Sequence, residues 1–244
     1  SCHATFTKGT TSAIGAAPNT LSVVCGKKIG IPANRSLFVK GSTLTGWTDG
    51  NNTYAIGDSV EMKSDITLTP IFKANTKTLA DRGGALTLKW FTCSIGGVPT
   101  YALEGSGNAV GAMVQQATID GESIDVACLI DAANGKFTNA NWSDWAQVNS
   151  GTIIRIPAGK GSKLESFAYG AFGASGKTAT TIDGLSDYTS STTLNYDYTG
   201  VKDDTMKIVV GNDAGYIRYI QMSYTKPEKT SYNDDVTVTW PNNL

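Results

Sequence analysis

The sequence predicts an all-β chain of two domains, the second an antiparallel β-sandwich, on three observations. Apolar residues fall in runs of strand length separated by Gly, Pro and Asn clusters. Several runs, such as Thr152–Pro157 and Tyr216–Met222, alternate with a partial period of two, which suits sheets with one covered face. No segment carries a convincing amphipathic helix period.

In the first domain, residues 1–75, strands are expected at 21–25, 36–39, 59–62 and 66–72. The middle reads Gly41-Ser42-Thr43-Leu44-Thr45-Gly46-Trp47-Thr48-Asp49-Gly50, then Tyr54, Gly57 and Ser64-Asp65-Ile66-Thr67-Leu68-Thr69-Pro70-Ile71-Phe72. An apolar strand, a Gly-x-Trp turn, a Tyr and Gly, and Asp-x-Thr-Leu before a last strand resemble the internalin B-repeat family of small β-grasp-like modules. The resemblance covers about a third of the chain. It implies a spacer or adhesive element of bacterial surface and secreted proteins, with Trp47 in its core. Phe72 stands where the family has a final Trp.

Residues 74–78 are polar and lack an apolar period, so they mark a boundary. In the second domain, residues 78–226, strands are expected at 86–91, 110–119, 124–130, 145–148, 152–156, 163–170, 192–198, 206–210 and 216–224, a number that suits a sandwich. Residues 227–244 contain Val236-Thr237-Val238-Thr239-Trp240 and read either as a last strand or as a linker to a further domain. Thr118-Ile119-Asp120-Gly121 recurs at Thr181-Ile182-Asp183-Gly184 with different flanks, which suggests two similar turns and not a duplication.

The 244 residues are 40% hydrophobic, enough for one large or two small cores, yet only 17% charged. With 20 Lys+Arg against 21 Asp+Glu there is no field to hold nucleic acid or an anionic membrane by charge alone. No apolar run approaches a membrane span, and the amino end does not read as a signal peptide. Neutral polar surface points to a neutral polar ligand. Four cysteines, Cys2, Cys25, Cys93 and Cys128, permit two disulfides in an exported protein, Cys2–Cys25 being the easier pair. Sparse apolar cysteines in a cytosolic core would look the same. Their spacing and the single histidine argue against structural zinc.

His3 lies at a terminus expected to be mobile, so a Ser-His-Asp or Cys-His arrangement is not expected. Two carboxylates from Asp125, Asp131, Asp144 and Asp183 would be needed for glycoside hydrolysis without histidine, but spacing alone does not pair them. Asp131 and Asn134 enter a turn where short oxygen side chains converge, the composition of a structural calcium site or of hydrogen-bonded turn residues. Asn141-Trp142-Ser143-Asp144-Trp145-Ala146-Gln147 places indoles beside amides at a loop–strand junction. Sugar rings take this mixture: an aromatic face stacks on C–H groups while amides and carboxylates satisfy hydroxyls. Trp145 is expected in the core, with Trp142 either on the ligand or closing a loop. A second cluster holds Tyr188, Tyr196, Tyr198 and Tyr216-Ile217-Arg218-Tyr219, where a Tyr pair is either a platform or cross-strand packing.

Leu88-Lys89-Trp90-Phe91, Asp131-Ala132-Ala133-Asn134-Gly135-Lys136-Phe137, Trp145-Ala146-Gln147-Val148-Asn149 and Gly215-Tyr216-Ile217-Arg218-Tyr219-Ile220 together resemble a non-catalytic β-sandwich region. Such regions accompany secreted bacterial pectate lyases, pectin esterases and related plant cell-wall degrading enzymes, and the likeness covers about 145 residues. It implies a jelly-roll, galactose-binding-like sandwich acting as a carbohydrate-binding module, and it carries over no catalytic residue. The expectation is a secreted, monomeric, non-catalytic module pair that binds plant polysaccharide such as pectin, xylan or β-glucan beside a tethered catalytic domain. The ligand residues expected are Asn141, Trp142, Asp144, Gln147, Tyr188, Tyr196, Tyr198 and Arg218, with no cofactor required and a structural calcium as one of the two readings of Asp131 and Asn134. A surface adhesin or spacer recognising protein or host glycan is the first alternative, and a small lyase or glycoside hydrolase the second.

Overall fold

The computed structural model describes residues 1–9, 12–94, 101–104, 110–131, 137–139, 145–171, 180–183, 194–195, 204–211 and 215–227. Among them there is no α-helix, and a small amino-terminal β region precedes a larger β domain.

The small region contains β1 (Cys2–Phe6), β2 (Ile14–Gly15), β3 (Leu21–Val23), β4 (Lys28–Gly30) and β5 (Leu37–Phe38). It continues with β6 (Ser42–Thr48), β7 (Thr53–Ala55), β8 (Ser59–Glu61) and β9 (Ile66–Ala74). Its main sheet has the order β3-β1-β9-β6-β7, with β1 and β9 parallel at the centre and the other pairs antiparallel. Cys2, Ala4 and Phe6 alternate inward along β1. The amino end is thus a central strand: His3 donates its backbone N–H to Asp65 Oδ1 at 2.8 Å, which corrects the expectation of a mobile terminus.

Gly46-Trp47, read from the sequence as a turn, lies within β6. A Cβ at Gly46 would stand 2.3 Å from the Tyr54 carbonyl oxygen on β7, so the glycine permits the close pairing. Trp47 is buried as expected and meets the edge of Phe6 at 4.9 Å between ring centroids. Of the two readings of the cysteines, the disulfide holds for Cys2–Cys25, while Cys93 and Cys128 are buried thiols.

After a 3₁₀ turn at Leu79–Asp81, the larger domain begins with β10 (Leu86–Phe91), β11 (Ala102–Glu104), β12 (Val110–Ile119) and β13 (Glu122–Asp131). Then come β14 (Phe137–Asn139), β15 (Ala146–Val148), β16 (Ile153–Pro157) and β17 (Ser162–Ala171). The last are β18 (Thr181–Ile182), β19 (Leu194–Asn195), β20 (Thr205–Val209) and β21 (Gly215–Tyr224). One sheet runs β14-β15-β21-β17-β19 with β10 also on β21, and the other runs β11-β12-β13-β16-β20-β18. Leu88, Trp90, Met113, Val126, Cys128, Ile154, Ile208, Ile217, Ile220 and Met222 are among the residues of the core between them.

Asp120 and Gly121, with φ of 47° and 79°, make the two-residue hairpin turn joining β12 and β13, whose twist matches that of the strands. Asp183, the corresponding residue of the second Thr-Ile-Asp-Gly, has φ of 46°, in line with two similar turns.

The small region sits on the outer face of β12 and β13. Ala112, Val114 and Ala127 are buried there, with Ile14, Phe38 and Leu129 packed against them. Val114 N–H donates to the Arg35 carbonyl at 2.9 Å. At Gly15, with φ of +90°, an added Cβ would lie 1.8 Å from the Ser36 carbonyl oxygen, so any larger residue would force β2 away from β5, the pair that faces Ala112.

Candidate functional site

The strongest candidate is the outer face of the β10/β15/β17/β21 sheet, and an extra residue in β21 creates it. Ile217 and Ile220 are three apart in β21, yet they pair with Tyr169 and Phe167, two apart in β17. The bulge lets Ile217 and Ile220 both reach the core, leaving exposed Arg218 and half-buried Tyr219 between them. On β10, Leu88 and Trp90 point inward, so Lys89 and Phe91 take the opposite face.

Phe91 lies opposite Tyr219 in the ladder, and Lys89 Nζ stands 4.0 Å from the Tyr219 ring centroid and 5.0 Å from that of Phe91. These cation–π contacts hold the ammonium over the aromatic pair. The Tyr219 hydroxyl is 2.8 Å from Ser166 Oγ, fixing the ring in place. Beside it, Gln221 Nε2 donates to Glu165 Oε2 at 3.0 Å. Hydrogen bonds from Ser223 and Gln221 hold the Glu165 carboxyl below its ordinary pKa, so it presents a carboxylate at neutral pH. Along the same face, Gln147 of β15 lies opposite Tyr216 of β21.

Two expected ligand residues, Gln147 and Arg218, therefore belong to one sheet face. Asn141, Trp142, Asp144, Tyr188, Tyr196 and Tyr198 lie outside the described residues. Trp145 is half-buried at the bend before β15, because Ala146 and Val148 take the inward positions; this corrects its expected core placement. Lys89, Phe91, Glu165 and Gln221 were missed, although period-two alternation around Leu88 and Trp90 already places Lys89 and Phe91 outward.

Asp131 stands on the other sheet, where Arg155 Nε donates to its Oδ2 at 3.3 Å, and Asn134 is outside the described residues. No cluster of three or more potential metal-ligating His, Cys, Asp or Glu occurs among the described residues. Asp125 and Asp131 lie six residues apart on one strand, roughly 20 Å at the usual rise, beyond the separation of about 5 to 9 Å of a glycosidase pair. Asp183 Oδ1 accepts from Lys207 N–H in a turn at 2.7 Å, and Asp144 is outside the described residues. His3 Nδ1 lies 2.8 Å from Ser22 Oγ, but the neighbouring Asp65 carboxylate bonds the His3 main chain and not its ring.

Cavities of about 500, 370 and 680 Å³ follow the seam between the small region and the sandwich. Acidic groups in two of them are committed to structure: Glu122 accepts from Thr76 N–H at 2.9 Å, and Asp125 accepts from Asn34, Leu44 and Gln116. The open sheet face, by contrast, combines aromatic rings, amides, a carboxylate and cations without a deep enclosure, an arrangement suited to a hydroxyl-rich ligand lying across it.

Comparison of the chain with family models, curated proteins and solved structures gives no match. No helix among the described residues is long and apolar enough to cross a membrane.

Proposed function

We propose that this chain is a non-catalytic carbohydrate-binding pair of modules from a secreted bacterial polysaccharide-degrading enzyme, and that plant cell-wall polysaccharide binds across the β10/β15/β21 face. The observation that carries the reading is the Phe91–Tyr219 pair under Lys89, in line with Gln147, Tyr216, Gln221 and Arg218. Aromatic faces stack on sugar C–H groups, and the surrounding amides and charges satisfy hydroxyls that lose water on binding. Asn141, Trp142, Asp144, Tyr188, Tyr196 and Tyr198 belong to the proposed ligand set by their chemistry. The Cys2–Cys25 disulfide supports export. The central parallel pair β1–β9 supports a β-grasp-like reading of the small region, and the two facing sheets support a jelly-roll, galactose-binding-like reading of the larger domain. A tethered catalytic domain would gain local concentration at insoluble substrate from such binding.

Affinity gel electrophoresis on xylan, β-glucan and homogalacturonan should retard the protein on at least one of them. Tyr219→Ala is expected to weaken that retention by about 2- to 10-fold, on the order of the 0.5–1.5 kcal/mol of an aromatic contact, in a protein that still unfolds in one cooperative thermal transition. Absence of retardation on every plant glycan would sink the reading.

Calcium at Asp131 and Asn134 is part of the proposal, on the short oxygen side chains that the two residues supply to a hard cation. A chelator should then lower the melting temperature and added calcium restore it. An unchanged melting temperature removes calcium from the account and leaves sugar binding intact.

A further inference from the structure

We propose that Asp125 is a pH-sensitive latch that docks the small β region on the sandwich, closing at acidic pH and loosening as pH rises. Its carboxyl is buried on the outer face of β13 and gathers partners from both sides of the seam. From the small region, Asn34 Nδ2 and the Leu44 N–H donate to Oδ2 at 3.0 and 2.9 Å. From β12, Gln116 Nε2 donates to Oδ1 at 3.3 Å. The backbone N–H of Asp125 in turn donates to Thr43 Oγ1 at 2.9 Å, and that hydroxyl donates to Asn75 Oδ1 at 2.6 Å at the start of the connector. One residue, through its carboxyl and its backbone N–H, thereby ties together β5's approach, β6, the connector and the β12–β13 hairpin.

Every donor to this carboxyl among the described residues is neutral. Lys40 from the small region, Lys77 from the connector, Arg155 from β16 and Asp204 line the adjoining cleft of about 680 Å³ without contacting it. Lys77 pairs instead with Asp120, and Arg155 with Asp131. Glu122, on the same strand, is bonded to Thr76, and Arg35 meets β12 through its carbonyl. Burial away from water raises the Asp125 pKa, against the hydrogen bonds from Leu44, Asn34 and Gln116, which lower it.

The sign follows from linkage. The docked state holds the proton to higher pH than the undocked state, where Asp125 meets water. Docking is strongest below the ordinary carboxylate range and weakens as pH rises through the raised value. One proton is released per opening, so the open population rises at most tenfold per pH unit within that window. The pKa of Glu122 is lowered, chiefly by its Thr76 hydrogen bonds, and it acts with the opposite sign, favouring docking only once it ionises.

Amide hydrogen exchange on the full chain reads the latch directly, because the Leu44 and Val114 N–H groups both bond across the seam. After correction for intrinsic exchange, their protection factors should fall by up to tenfold per pH unit above about pH 4 and then level off. The Ile154 amide, in the sandwich core, serves as the reference and should not follow. Asp125→Asn keeps the shape and cannot ionise, so its seam amides should show no pH slope in that window. An equal slope in the Asn variant, or none in the wild type, would overturn the proposal. Asp125→Leu, which removes the acceptors, should deprotect both seam amides at every pH; protection equal to wild type would likewise refute the latch. All three readouts are independent of sugar binding.

Discussion

Replacing Trp90 by alanine is expected to cost about 4–5 kcal/mol, a large share of the roughly 5–15 kcal/mol that holds a whole domain together. The indole is fully buried between the sheets, and its Nε1–H donates to the Val126 carbonyl on the facing sheet at 3.1 Å. Truncation opens a large apolar cavity and strands that carbonyl in a site water does not reach. Trp90→Phe separates the two effects. It keeps most of the volume and loses the hydrogen bond, so a cost of about 1–3 kcal/mol is expected. Denaturant unfolding of the two variants measures both, and equal losses would show that packing is the lesser part.

Arg82→Ala should come next, at about 3 kcal/mol. Its guanidinium is buried without a carboxylate partner among the described residues and is satisfied by three main-chain carbonyls: Leu79 at 3.0 Å, Thr225 at 2.5 Å and Lys160 at 2.5 Å. Burial lowers its pKa, but Arg remains charged at any pH of interest. The group ties the 3₁₀ turn to the end of β21 and to the β16–β17 turn, and its Cζ lies 5.5 Å from the Tyr224 ring centroid. Lysine has no planar fork and should recover less than half of the loss. A melting temperature within 1 °C of wild type for Arg82→Ala, an order-of-magnitude margin smaller than the shift expected for such a loss, would show that these carbonyls find other donors.

Strands with strong β-branched or alternating apolar content were legible in the sequence. The bounds of Leu86–Phe91 and Val110–Ile119 agree with the expected ones, Ile153–Pro157 is shifted by one residue at each end, and Gly215–Tyr224 begins one residue early. The misses have physical causes. Cys2–Phe6 carries its pattern on Cys, Ala and Phe at a chain end, where position alone suggests fraying, and only its parallel pairing with β9 makes it central. Gly46 and Trp47 look like turn residues until the approach of Tyr54 explains the glycine.

The candidate site was legible in kind and only partly in place. Gln147 and Arg218 are named for their chemistry, and Phe91 meets Tyr219 by simple alternation, but Tyr216 and Gln147 share that face only because of a bulge in β21, and a one-residue irregularity leaves no trace in composition. Asp125 was considered as a catalytic acid. Its role became visible only with Asn34 and Leu44, both more than 80 positions away in the chain.

The central place of β21 sets an order of assembly. It pairs with β10, β15 and β17 and is the last strand described in the chain, so ribosomal synthesis delivers the keystone of that sheet after nearly every other piece. The small region, finished by β9, and the β12–β13 hairpin on which it rests both emerge much earlier. During elongation the small region can therefore shield one side of that hairpin while Met113, Val126 and Cys128 on the other still await their cover. A ribosome stalled before residue 215 would display an apolar sheet, the species for which chaperones compete, and the nascent chain is most vulnerable to aggregation in that interval.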